Sequence, residues 1–161
     1  MSSSIELYRI KKKIEEANNL LIVSHHDPDG DALGSSLGFG LFLDSVGKKV
    51  TVYNRDKCPA YLNFIDSSGL INSIENIPKD IDLILLLDLN DFERTGDEMS
   101  RYLKNTNLDI IVIDHHQNSK IKTNFSLIET NSSSTGILIY NLISSFGHPI
   151  DNSIATLLLT T

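Results

Sequence analysis

The sequence predicts a doubly wound α/β domain, with a mainly parallel sheet flanked by helices on both faces. Three observations predict it. Short runs at 20–23, 83–87 and 110–113 are apolar throughout, as strands covered on both faces must be. Helical patterns alternate with these runs along most of the chain. No internal repeat, low-complexity segment or linker divides the 161 residues, a length suited to one domain.

The elements follow in order. Ser3-Ser4-Ile5-Glu6 reads as a capping box. The helix behind it carries Ile10, Ile14 and Ala17 on one stripe and a solvated face that includes Lys11, Lys12 and Lys13. Residues 20–24 form the first strand. Residues 32–46 form a helix stopped by Gly47, and Gly34, Gly38 and Gly40 within it are read as close packing on the sheet. Residues 50–53 are a strand, Cys58-Pro59-Ala60 opens a short helix, and 70–74 is a short third strand. Residues 82–88 make the most hydrophobic strand, 97–104 a polar helix, 110–114 another interior strand and 125–128 an edge strand. The short serine stretch 132–134 reads as a helix cap. The helix 134–146 ends at Gly147 and Pro149. Asp151 caps a last helix, 154–160, whose apolar pattern is still running at Thr161, which suggests a cut chain.

A net charge of −7 argues against a broad footprint on long nucleic acid. A small anionic substrate remains compatible, because bound cations reverse the local field. The single cysteine, Cys58, excludes an intramolecular disulfide. No apolar run is long enough to cross a bilayer and the N-terminus has no signal-peptide apolar region, so no membrane partner and a cytoplasmic location are expected.

Chemistry concentrates at the strand ends. His25, His26, Asp27, Asp29 and Asp31 follow the first strand, Asp88 ends another, and Asp114-His115-His116 ends a third. In a parallel sheet all of these share one edge, where ligands bind. Asp29 and Asp31, two apart in an extended turn, reach different metals or both sides of a cleft. Asp88, central among the strands, is the natural bridge. Carboxylates so close repel unless cations relieve them. Mixed Asp and His ligation suits Mn²⁺ or a related ion better than Ca²⁺, and the lack of a cysteine in this cluster excludes a thiolate zinc site. Two ions sharing a carboxylate would activate water and stabilise a phosphoryl oxygen. Each motif also has a plain structural reading: Asp29-Gly30 as a turn, His115-His116 as a hydrogen-bonded pair. Four of the five histidines fall in these two turns, which favours a shared site, and His148 reads as surface loop.

The sequence from His25 to Ser35, the run Leu87-Asp88 with Asp91-Phe92-Glu93-Arg94-Thr95-Gly96, the triplet Asp114-His115-His116 and Ser133-Ser134-Thr135-Gly136 together resemble the DHH phosphoesterase superfamily. The branch most resembled comprises the stand-alone DHH–DHHA1 proteins, which include oligoribonucleases (nanoRNases) that also dephosphorylate pAp. The resemblance implies that residues 1–161 are the DHH catalytic domain, with the family's fourth motif and the DHHA1 domain absent from this sequence. It implies one Mn²⁺ on His25, Asp29 and Asp88, and a second on Asp31, Asp88 and His115. His116 then meets the scissile phosphate as a catalytic and substrate-binding residue, Asp114 orients the imidazoles, and His26 is a bystander or an outer partner. The missing motif would supply a further aspartate, so the second ion is expected to bind weakly and the isolated chain to be weakly active or inactive. The implied activity is metal-dependent hydrolysis of phosphoester bonds in short oligonucleotides or small nucleotides such as pAp. Alternatives are a family II pyrophosphatase or exopolyphosphatase, a cyclic-dinucleotide or pApA phosphodiesterase, and a non-catalytic nucleotide-binding remnant. Family members can dimerise, so a homodimer is among the partners considered.

Overall fold

In the computed structural model, which describes residues 3–65, 71, 72 and 77–161, one six-stranded sheet organises the chain. The elements are α1 (Ser3–Glu16), β1 (Asn19–Val23), α2 (Gly30–Ser45), β2 (Lys49–Tyr53), β3 (Ile71–Asn72), β4 (Leu83–Leu87), α3 (Asp97–Asn105), β5 (Asp109–Asp114), β6 (Phe125–Ile128), α4 (Thr135–Ser145) and α5 (Asn152–Leu158). Short 3₁₀ turns lie at Ala60–Leu62 and Phe92–Thr95. Every strand pair is parallel, in the order β3-β2-β1-β4-β5-β6. The chain winds outward from β1 to β3, then returns to place β4 against the other side of β1. The crevice between β1 and β4 is thus a topological switch point.

The all-apolar strands are covered on both faces. Leu20, Ile22, Leu85, Leu87, Ile111 and Ile113 meet α1, α2, α4 and α5. Leu21, Val23, Ile84, Leu86 and Val112 meet α3 through Met99 and Leu103. Alternate residues facing opposite ways is the strand period of two. Among the described residues the helices are therefore unevenly shared, with α3 alone on the second face.

Several local expectations need correction. Helix α2 begins at Gly30, two residues earlier than expected, because the Asp29 side chain accepts the Ala32 N–H at 3.0 Å as its N-cap. Asp29 and Asp31 therefore occupy the start of a helix, not an extended turn. Gly34 and Gly38 face α5, where added Cβ atoms would meet Leu157 and Leu158; only Gly40 faces the sheet, against Val52 and Ile22. The expected capping-box partner Glu6 accepts instead from the Ser126 N–H and from Arg9, covering the open edge of β6, while the Ser3 side chain lies outside the described residues. The short helix after Cys58 is a 3₁₀ turn with Pro59 as its cap residue. Of the expected strand 70–74, residues 71–72 are a strand and the remainder lies outside the described residues. Gly47 and Gly147 follow α2 and α4 at φ of 85° and 75°, the left-handed conformation expected after a helix. None of the described helices is long and apolar enough to cross a membrane.

Candidate metal centre

Register brings the site together. Val23, Leu86 and Val112 are aligned neighbours in β1, β4 and β5. Two residues further on, His25, Asp88 and Asp114 stand at one level, with Asp114 still paired to Ile128 of β6 as the last residue of β5. Asp88 turns sharply, with φ of 55°, and its N–H still donates to the Ile113 carbonyl at 3.1 Å. A residue with a side chain rarely adopts this conformation, though aspartate tolerates it better than most. The turn lays the Asp88 carboxylate across the crevice.

That carboxylate stands between two donor groups. Asp88 Oδ2 is 3.4 Å from His25 Nε2, which is 3.9 Å from Asp29 Oδ1. Asp88 Oδ1 is 3.5 Å from His115 Nε2, which is 3.4 Å from Asp31 Oδ2. The start of α2 separates the two aspartates. Successive helical residues turn by about 100°, so positions two apart diverge widely. Asp29 goes to His25 and Asp31 to His115. His116 Nδ1 is also 3.5 Å from Asp88 Oδ1.

The imidazoles are fixed for ligation. His25 Nδ1 lies 2.7 Å from the His26 carbonyl and His115 Nδ1 3.2 Å from the Ser132 carbonyl. A carbonyl only accepts, so the Nδ1 of each ring carries a proton and each Nε2 faces the carboxylates. His116 Nδ1 lies 2.7 Å from Asp114 Oδ1. Asp114 is fully buried, and its other oxygen has no hydrogen-bond partner among the described residues.

The carboxylates are pushed in opposite senses. Burial and the neighbouring Asp88 charge raise the Asp31 carboxyl, against hydrogen bonds from the Thr135 and Gly136 amides and the Ser35 hydroxyl. Burial also acts to raise Asp88, but His25, His116 and the Thr135 hydroxyl outweigh it and hold that carboxyl below its usual range. Burial acts to lower His25, yet its bonds to Asp88 and the His26 carbonyl leave it raised. Carboxylate oxygens together with imidazoles whose Nε2 atoms face the centre are a donor set that fits divalent transition ions.

All seven expected site residues meet around this crevice. His26 does not: its Nδ1 turns to Asp27 at 3.2 Å, in an outer group with Asp56. Arg55 already engages Asp56 through two nitrogens. Thr135 is the site residue whose contact sequence reasoning missed, since its hydroxyl donates to Asp88 Oδ1 at 3.0 Å. The signal available was the run of small residues before α4. A separate concavity of about 350 Å³ lies along the outer edge of β6 beside Glu6 and Arg9.

A parallel α/β domain with an imidazole–carboxylate cluster at its switch point is the class that fold and site define. The model of the DHH family N-terminal domain matches residues 19–161, and the chain belongs to that family. Over 142 residues it is 28% identical to the bifunctional oligoribonuclease and PAP phosphatase NrnA of Thermus thermophilus, spanning 88% of this chain and 41% of that protein. The crystal structure of an exopolyphosphatase-related protein from Bacteroides fragilis superposes with a TM-score of 0.89 at 32% identity, spanning 98% of this chain and 48% of the other. RecJ from Thermus thermophilus, solved with Mn²⁺, shares the fold at a TM-score of 0.57 and 18% identity, over 95% of this chain and 23% of RecJ. The chain thus spans less than half the length of each of these relatives.

Proposed function

We propose that this chain is the catalytic domain of a manganese-dependent phosphoesterase acting on short oligonucleotides or small nucleotides such as pAp. The observation that carries the reading is the Asp88 carboxylate, with one oxygen at His25 and the other at His115. In this reading His25, Asp29 and Asp88 hold one ion, and Asp31, Asp88 and His115 hold a second. Divalent ions in such a pair activate water and stabilise a charged phosphoryl oxygen. The protein's part is to align these donors and to place His116 beside the substrate phosphate. Asp114 holds the His116 ring and keeps its proton on Nδ1. Membership of the DHH family and the likeness to NrnA support the choice of substrate class.

Phosphate release from pAp and cleavage of a dinucleotide, with Mn²⁺ or with chelator, test the reading. Turnover is expected to need Mn²⁺ and to be faster when the chain is extended to the length of its relatives. In the extended protein, Asp88→Asn is expected to lower turnover by at least about 100-fold, since the shared carboxylate serves both donor groups. Equal turnover by Asp88→Asn and wild type would overturn the assignment. The likeness to the exopolyphosphatase-related protein favours one second reading, hydrolysis of pyrophosphate or polyphosphate. Faster phosphate release from those compounds than from pAp would select it.

A further inference from the structure

We infer that Thr135, the first residue of α4, is a positioning residue that locks the shared Asp88 carboxylate in its bridging orientation; the inference rests on the metal-binding reading above. Thr135 and Asp88 are both buried, and the Thr135 Oγ1 to Asp88 Oδ1 bond is 3.0 Å. An aspartate carboxylate turns about a broad, roughly twofold torsion. A donor on one oxygen removes that freedom. With Oδ1 held by Thr135 beside His115, Oδ2 is left beside His25.

The same turn of α4 also grips Asp31. The Thr135 N–H donates to Asp31 Oδ2 at 2.8 Å and the Gly136 N–H to Oδ1 at 3.0 Å. These are first-turn amides with no partner inside the helix, at the positive end of its dipole. The N-cap itself is Ser134, whose side chain accepts the Ile137 N–H, so helix initiation does not require the Thr135 hydroxyl. The backbone of this turn serves one carboxylate and the Thr135 hydroxyl serves the other. That division makes the hydroxyl separable by mutation.

Thr135→Val removes the hydroxyl while keeping the side-chain shape, and Thr135→Ser keeps the hydroxyl. Isothermal titration of chelator-treated protein with Mn²⁺ reads the effect. Thr135→Val is expected to bind Mn²⁺ about 10–100-fold more weakly than wild type, and Thr135→Ser to stay within about threefold of it. Thr135→Ala also lacks the hydroxyl and gives the same reading if the valine protein does not fold. A merely structural role would lower the melting temperature of the chelated protein and leave Mn²⁺ affinity unchanged. Wild-type affinity in the valine and alanine variants therefore overturns this inference and leaves the proposed function standing. An absence of saturable Mn²⁺ binding by wild type overturns both.

Discussion

Burial and the Asp88 carboxylate act on His25 in opposite senses, and the net result is an imidazole that holds its proton more tightly than usual. Without metal, this raised value stabilises the fold. The contribution is complete below the ordinary imidazole pKa and is lost as pH rises through the raised one. Metal uptake reverses the preference, because an imidazole must be neutral to ligate. Mn²⁺ affinity is therefore expected to fall as the solution is acidified, beginning above the ordinary imidazole range at His25. Titration calorimetry between about pH 8 and about pH 5.5 checks this, and a constant affinity across that span would contradict histidine ligation. Asp31 and Asp88 show the same competition among acids. One is pushed up by burial and its neighbour's charge, while the other is held down by imidazoles and a hydroxyl.

Helix α2 joins the core to the site. Its first turn directs Asp29 and Asp31 to separate imidazoles, and its middle is buried between the sheet and α5. The close approach to α5 depends on missing side chains. A Cβ on Gly34 would fall 2.5 Å from the Leu157 carbonyl oxygen, a backbone atom that moves only with α5. A Cβ on Gly38 would meet the Leu158 side chain at 3.1 Å, and that chain can turn aside. Gly34→Ala is expected to destabilise the protein by about 1–3 kcal/mol through overpacking. Gly38→Ala is expected to be near neutral, since the gain of about 1 kcal/mol in helix propensity offsets the crowding. Thermal unfolding of both variants tests the contrast, and equal losses would contradict the assignment of the two contacts.

At the scale of the whole molecule, the switch in strand order opens the crevice between β1 and β4, and the parallel sheet delivers every site residue to the same edge. A ligand that binds only the folded site must then stabilise the fold as a whole. Free Mn²⁺ at about 100 times its dissociation constant is expected to add about 2.7 kcal/mol, or about 5–11 °C in melting temperature for a domain of this size. The measurement is the melting temperature of chelator-treated protein with and without Mn²⁺. Asp88→Asn is expected to lose most of that increment, and a wild-type protein unmoved by Mn²⁺ would count against a centre formed by folding.

The α/β class, the parallel sheet and the gathering of His25, Asp29, Asp31, Asp88, Asp114, His115 and His116 at one edge were all legible in the order of residues along the chain. Apolar strand runs and the chemistry at their ends are local properties, and parallel pairing leaves those ends only one side on which to meet. Tertiary structure decided the rest. The family resemblance implied which aspartate meets which imidazole, and the structure supplies the reason, because the direction of a side chain in the first turn of α2 depends on where that helix begins. Tertiary structure placed Gly34 and Gly38 against α5, since a glycine marks a close approach without naming the partner. It brought the Thr135 hydroxyl to Asp88 across a separation of 47 residues, a contact made by how α4 docks on the sheet, which the run of small residues before α4 marks without naming its partner.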